Sequence, residues 1–253
     1  MIPQRPAMNQ LFILRATIQW DQVEGRSYLR HIPALKGLDS IDFSSPVTFF
    51  VGENGTGKST LLEAIAAAYG FNPEGGTKNF RFSTAQSHSE LWKCLTLTKR
   101  GWASDGFFLR AESFFNAATY IDQADDEPSF APPLIDSYGG VSLHQQSHGE
   151  SFLSLVQNRF GGHGVYLLDE PEAALSPMRQ MTLLAEMDAL VKDSSQFIIS
   201  THSPILMTFP GAEILQLDCH GITSVPYQDT EHYQITRRFL ENPERMLRYL
   251  LER

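Results

Sequence analysis

The sequence contains Gly52-Glu53-Asn54-Gly55-Thr56-Gly57-Lys58-Ser59-Thr60, which fits the pattern G-x-x-x-x-G-K-[ST] without a mismatch. Residues 47–51 before it read as a buried strand, and residues 58–69 after it read as a helix. In such a unit the glycines let successive backbone N–H groups point inward, and the helix start adds free N–H groups and a positive dipole end. The segment therefore predicts a phosphate-binding loop, and we expect a polyanion as its ligand.

Two side chains of this loop indicate how the ligand is held. Lys58 is placed to reach the β- and γ-phosphates of a nucleotide, and the hydroxyl of Ser59 is placed to bind Mg²⁺. We expect the whole segment 52–60 to line the nucleotide site.

A second motif follows the apolar residues 165–168, which read as a buried strand ending in Asp169-Glu170-Pro171. Two carboxylates at the end of a core strand are costly without a partner, and a phosphate-bound Mg²⁺ would be one. Asp169 fits the metal-side acid of a Walker B motif. Glu170 is then placed to orient or deprotonate the attacking water.

A third strand, residues 196–200, runs into Thr201-His202-Ser203-Pro204. Ligands of α/β proteins bind at the carboxyl ends of core strands, so we expect His202 to contact the γ-phosphate. Upstream, Ser147-His148-Gly149-Glu150 precedes a predicted helix at 151–160 and has the residues of a capping box.

Along the chain the four motifs follow the order phosphate loop, Ser147-His148-Gly149-Glu150, Asp169-Glu170-Pro171 and Thr201-His202, and this set resembles the motifs of the ABC-class ATPases. Ser147 precedes Asp169 by 22 positions and Glu170 precedes His202 by 32, which also fits. The resemblance implies ATP and Mg²⁺ as cofactors, Glu170 as the base and His202 as the switch histidine. It further implies that Ser147, Gly149 and Glu150 reach across a dimer to the γ-phosphate bound by the other subunit.

The resemblance also implies the fold, an α/β P-loop NTPase head in one domain over residues 1–253. We expect a mostly parallel core sheet flanked by helices, an antiparallel β part and a short helical insertion within about 71–146. The run 169–177 looks more like the soluble ATPases related to RecF, SMC and OLD-type proteins than like transporter subunits.

The sequence departs from the family pattern in several places. His148 replaces the first signature glycine, no Leu precedes Ser147, and no clear Q-loop glutamine is visible, although Glu112 lies near that place. The 34 residues between Glu112 and Ser147 are too few for a long coiled coil, and the 51 after His202 are too few for a nuclease domain.

Three functions stay open at this stage. The first is a stand-alone ATPase whose ATP-gated homodimer acts as a switch for an unidentified protein partner in DNA maintenance or defence. The second is the nucleotide-binding subunit of an ABC transporter. The third is an ATP-binding scaffold without catalysis, which Lys58 and Glu170 together disfavour because binding alone does not need a base.

Composition limits the partners and the cellular compartment that we expect for the chain. The chain has 253 residues, 42% of them hydrophobic, and 20 basic against 29 acidic residues give a net charge of −9. This charge does not imply nucleic acid, although a local basic patch could still bind it. Cys94 and Cys219 fit no zinc or redox pattern and favour a reducing cytoplasm. We expect no signal peptide and no membrane span.

Other patterns predict further elements. Strands are expected at 11–20 and 41–43, and residues 91–99 and 107–109 suggest an antiparallel hairpin. Ser176-Pro177 begins a helix. The tail 231–253 reads as two helices broken at Asn242-Pro243, which could dock on the domain or on a partner.

The motifs generate a kinetic prediction. Glu170→Gln should still bind Mg-ATP but lose about 10²- to 10⁴-fold in turnover, the usual size of a general-base contribution. Lys58→Ala should instead weaken ATP binding. Steady-state hydrolysis and nucleotide titrations separate the two effects, and a wild-type rate for Glu170→Gln would remove Glu170 from the role of base.

Overall fold

The computed structural model describes residues 11–77, 89–110, 119 and 134–251. The strands are β1 (Ile13–Ile18), β2 (Ser40–Asp42), β3 (Val47–Val51), β4 (Leu95–Lys99), β5 (Asp105–Arg110), β6 (Gly164–Asp169), β7 (Gln196–Ser200), β8 (Glu213–Asp218) and β9 (Gly221–Ser224). The helices are α1 (Lys58–Tyr69), α2 (His148–Arg159), α3 (Pro177–Lys192), α4 (Glu231–Glu241) and α5 (Pro243–Leu251).

A six-stranded sheet with the order β5-β6-β7-β3-β8-β9 forms the centre of the molecule. Its neighbouring strands are parallel except for β8 and β9. Every residue of β3, β6 and β7 is buried, as is typical of a parallel sheet covered on both faces. The predicted α/β P-loop NTPase fold with a mostly parallel sheet is confirmed.

Successive residues of these central strands point to opposite faces of the sheet. Phe49, Leu168 and Ile199 belong to one hydrophobic core, and Phe50, Leu167 and Ile198 belong to the other. Helices α2 and α3 contribute to the first core and α1 to the second. The two cores hold the strands in register and thereby fix where each strand ends.

An antiparallel sheet with the order β2-β1-β4 supplies the expected antiparallel part. The predicted hairpin of β4 with β5 is wrong, because β4 pairs with β1 and β5 runs parallel to β6. Burial explains the difference. Strand β4 alternates and is half exposed, whereas the central residues of β5 are all buried.

The two sheets are joined by the side chain of Gln196, which is fully buried at the start of β7. Its Oε1 accepts hydrogen bonds from the N–H groups of Phe12 (2.9 Å) and Ile13 (2.8 Å), and its Nε2 donates to the Ile13 carbonyl (2.9 Å). One amide thus satisfies three backbone groups.

The helix predictions hold closely. Helix α1 occupies the predicted range and ends at Gly70, whose φ of 107° suits glycine. Helix α2 begins at His148, three residues before the predicted start, while α3 follows Ser176 and the tail forms two helices separated by Asn242. Within the described ranges, no helix is long and apolar enough to cross a membrane.

Some predictions fall beyond the described residues. Glu112 and residues 78–88, 111–118 and 120–133 of the insertion 71–146 lie there, so the helical insertion and the single-domain assignment stay predictions. Both cysteines are described as free thiols, Cys94 buried and Cys219 exposed.

Gln196 generates a stability prediction. Gln196→Leu keeps the volume but leaves buried backbone groups unpaired, so we expect the free energy of unfolding to fall by roughly 3 kcal/mol. Urea unfolding measures the change. The matched variant Gln22→Leu alters an exposed glutamine and should shift stability by less than about 0.5 kcal/mol. Equal effects of the two variants would contradict a joining role for Gln196.

Candidate active site

The phosphate-binding loop lies between β3 and α1, and its glycines are required by its shape. Gly52, Gly55 and Gly57 have φ angles of 140°, 82° and 106°, a region that favours glycine. A Cβ on Gly52 would also lie 2.1 Å from the carbonyl oxygen of Leu217 on β8. The backbone therefore takes the curled form that the motif predicts.

The side chain of Lys58 lies within this loop and is buried. Its Nζ donates hydrogen bonds to the carbonyl oxygens of Gly52 (2.7 Å) and Glu53 (3.0 Å). Burial lowers the pKa of Lys58, and the nearby charges of Glu170 and Asp169 oppose that shift. The cation and the two acids thus lie at one site, as the sequence predicts.

Ser59 and Asp169 meet although 110 positions separate them. Ser59 Oγ donates a hydrogen bond to Asp169 Oδ1 at 3.0 Å. Burial raises the pKa of Asp169, and Arg110 acts in the opposite direction. The described residues hold no cluster of three or more acidic, His or Cys side chains that could bind a metal alone. Two oxygens at this distance suit Mg²⁺, which takes few protein ligands and shares the nucleotide's phosphates.

Glu170 adopts a left-handed backbone conformation, with φ 50° and ψ 51°. Such a conformation is uncommon for a residue other than glycine and is concentrated at functional sites. Its N–H donates to the Ser200 carbonyl (2.9 Å), while its side chain is 40% exposed. Glu170 Oε1 lies 3.6 Å from His202 Nε2. The candidate base therefore faces solvent beside the candidate switch histidine.

Glu172 is a residue that the sequence reasoning missed. Its partly buried carboxylate accepts hydrogen bonds from the backbone N–H of His202 and from Thr201 Oγ1 (2.8 Å). Burial raises its pKa, and these hydrogen bonds oppose the shift. Glu172, in the loop after β6, thereby forms hydrogen bonds with Thr201 and His202 in the loop after β7. The sequence feature that could have pointed to Glu172 is its position, an acidic residue two positions after Glu170.

His232 was also missed, and no local pattern marks it. It lies in the first turn of α4, and its Nε2 is 2.8 Å from Nδ1 of His202. Burial lowers the pKa of both histidines.

Arg110 is a third residue that the sequence did not single out. It ends β5 directly opposite Asp169 in the parallel register. Its Nη1 lies 2.8 Å from Glu63 Oε2 on α1, and its Nε lies 3.7 Å from Asp169 Oδ2. This guanidinium places positive charge between the loop helix and the candidate metal-side acid.

The signature-like segment is built at the start of α2. Glu150 Oε2 accepts hydrogen bonds from Ser147 N–H (3.1 Å) and Ser147 Oγ (2.6 Å), which lower the pKa of Glu150. Arg179 of α3 lies 3.2 Å from Ser147 Oγ and 3.0 Å from Glu150 Oε1. A Cβ on Gly149 would meet the Ala174 carbonyl oxygen at 2.8 Å. These contacts tie the segment to α3, and none of these hydrogen bonds and ion pairs of Ser147 and Glu150 within the described residues is with the phosphate loop of the same chain.

Two family models match the chain. One is described as an AAA domain and matches residues 26–101, which contain the phosphate-binding loop. The other is described as AAA domain, putative AbiEii toxin, Type IV TA system, and matches residues 137–208, which contain the remaining motifs.

Several known proteins are similar to this chain. The human phospholipid-transporting ATPase ABCA7 is 26% identical over 184 residues, covering 67% of this chain and 8% of that protein. The ribose import ATP-binding protein RbsA of Yersinia pestis is 28% identical over 185 residues, which cover 66% of this chain and 35% of that protein. The chain thus matches a minor part of each relative.

A solved structure shows the same fold. It is cbiO1 from Clostridium perfringens, described as part of the ABC transporter complex cbiONQ. The TM-score is 0.51 at 16% identity, covering 96% of this chain and 100% of that chain.

The contacts of Glu172 generate a prediction. Glu172→Leu removes the acceptor shared by Thr201 and His202, so we expect kcat to fall by about 10- to 100-fold, the cost of a displacement of about 1 Å. The Kd for ATP should change by less than about threefold, since the phosphate-binding loop is untouched. The matched control is Glu24→Leu, at an exposed glutamate. An unchanged kcat for Glu172→Leu would contradict the coupling of the two loops.

Proposed function

We propose that this chain works as an ABC-class P-loop ATPase, in which two copies close around ATP and reopen after hydrolysis. The dimer would act as a switch for a protein partner in DNA maintenance or defence. The observation that carries the proposal is the position of Ser147 at an exposed helix start that is tied to α3 rather than to its own phosphate loop.

Each residue of the site has a proposed role in hydrolysis. Lys58 would bind the β- and γ-phosphates, and Ser59 with Asp169 would hold Mg²⁺, which would offset the negative charge of the phosphoryl group. Glu170 would orient a water and take its proton as the water oxygen attacks the γ-phosphorus, releasing ADP. His202 would contact the γ-phosphate.

One side of the γ-phosphate is left for the second subunit. The start of α2 offers the Ser147 hydroxyl and backbone N–H groups, and its dipole favours an anion by about 0.3–1 kcal/mol. The carboxylate of Glu150 opposes a phosphate at this place, while Arg179 lies close enough to offset it. Because ADP lacks the γ-phosphate, ATP should stabilise the dimer and ADP should not.

The dimer can be tested in a Glu170→Gln background, which retains ATP. With Mg-ATP we expect light scattering to give twice the 28.4 kDa chain mass, and with ADP or no nucleotide the monomer mass. Ser147→Arg in the same background should bind ATP and stay monomeric.

The matched control is Gln157→Arg, which adds the same charge at an exposed position of α2 away from its start and should still dimerise. The same mass in all three nucleotide states would overturn the ATP-gated dimer. Dimerisation of Ser147→Arg would remove Ser147 from the interface.

A second candidate is favoured by the similar proteins, several of which are named as transport ATPases or parts of transporters. In this alternative the chain would be the nucleotide-binding subunit of an ABC transporter. Purification from native cells distinguishes the two, because a stoichiometric complex with a membrane-spanning protein would favour the transporter subunit over the stand-alone switch.

A further inference from the structure

The first turn of α4 reaches the candidate active site through His232. The rings of His232 and His202 have centroids 4.8 Å apart and planes inclined at 62°, with the two facing nitrogens 2.8 Å apart. Burial lowers the pKa of His232, and the charges of Glu53 and Lys58 in the phosphate-binding loop also act on it, Glu53 raising it and Lys58 lowering it. A tail helix therefore contributes to the immediate surroundings of His202.

The start of α4 is firmly held. Thr230, its N-cap, is fully buried, and its hydroxyl donates to the Tyr227 carbonyl (2.8 Å) and accepts from Tyr233 N–H (3.4 Å). The rings of Tyr227 and Tyr233 also pack, with centroids 4.6 Å apart. Thr230 before His232 and Tyr233 after it are both held by these contacts, and they fix the backbone at His232, although most of α4 is exposed.

The pair of rings shares one proton. Burial lowers the pKa of both histidines, so both are neutral at pH 7, and a hydrogen bond between them needs one donor and one acceptor. If His202 donated from Nδ1, its Nε2 would be a bare acceptor facing the carboxylate of Glu170. If His232 donates, the proton of His202 stays on Nε2, where Glu170 attracts it.

The Nε2 atom of His202 supports the second arrangement. It is buried and has no hydrogen-bond partner within the described part of the chain. Glu170 Oε1, at 3.6 Å, is beyond hydrogen-bond distance. The carboxylate of Glu170 beside this nitrogen favours an N–H there, and that N–H would be able to donate to an incoming acceptor such as a phosphate oxygen.

We propose that His232 is a positioning residue for ATP hydrolysis: it donates its Nε2 proton to Nδ1 of His202 and so keeps the His202 proton on Nε2. The proposal rests on the role of His202 at the γ-phosphate given above. Histidine ligands and bases in proteins are commonly oriented by such a partner at the second ring nitrogen.

Three variants test it. His232→Leu cannot donate, and we expect kcat to fall by about 10- to 30-fold with KM for ATP changed less than about twofold. His232→Gln places an amide N–H near the lost ring N–H and should recover most of kcat. His220→Leu, at an exposed histidine in the β8–β9 turn, should behave as wild type. Thermal unfolding of each variant checks that the fold is kept.

A double-mutant cycle separates this inference from the proposed function. In a His202→Ala background, His232→Leu should cause no further loss, because His232 acts through His202. Additive losses, or a wild-type kcat for His232→Leu while His202→Ala is slow, would overturn the inference alone. A wild-type kcat for His202→Ala would overturn the inference together with the proposed role of His202, and would leave the ATP-gated dimer to its own test.

Nitrogen-15 NMR of the imidazole groups gives a readout independent of turnover. We expect His202 to carry its proton on Nε2 in the wild type and in His232→Gln, and to show a mixture of tautomers in His232→Leu. A wild-type His202 protonated on Nδ1 would overturn the assignment.

Discussion

The parallel, in-register pairing of three central strands is the constraint on which the site depends. Strand β7 pairs with β3 on one side and with β6 on the other, so that Ser200 lies opposite both Phe50 and Asp169. The phosphate-binding loop, the paired acids and the Thr-His segment therefore leave the sheet at one edge. A slip of one residue would turn each strand's side chains to the opposite face and separate these groups.

The parts of the fold that follow local rules could be predicted from the sequence. Helix α1 has the predicted bounds because a glycine loop starts it and Gly70 ends it. The partner of β5 could not be predicted in this way. Residues 91–99 and 107–109 are neighbours in the chain, but burial of the central residues of β5 favours a parallel partner more than 50 positions away. Pairing at that range is set by tertiary packing, which no local pattern reports.

The candidate site also combines residues that local motifs predict with residues that only the folded structure brings near. Lys58, Ser59, Asp169, Glu170 and His202 could be proposed from the sequence because each belongs to a motif whose chemistry fixes its spacing. Glu172, His232, Arg110 and Arg179 belong to none of these motifs, and their contacts are with other protein groups. Such supporting residues can come from any element that the fold brings near, so their positions in the sequence carry little information.

The carboxylate of Glu172 has a mechanical consequence. Through its hydrogen bonds to Thr201 and His202, the loop after β6 and the loop after β7 are fastened to each other as well as to the sheet. These hydrogen bonds couple the positions of the two loops, so a displacement of Glu170 and its neighbours is passed on to His202. Over evolutionary time residues 172 and 201 are then free to vary only together, and homologous sequences should show them as a covarying pair.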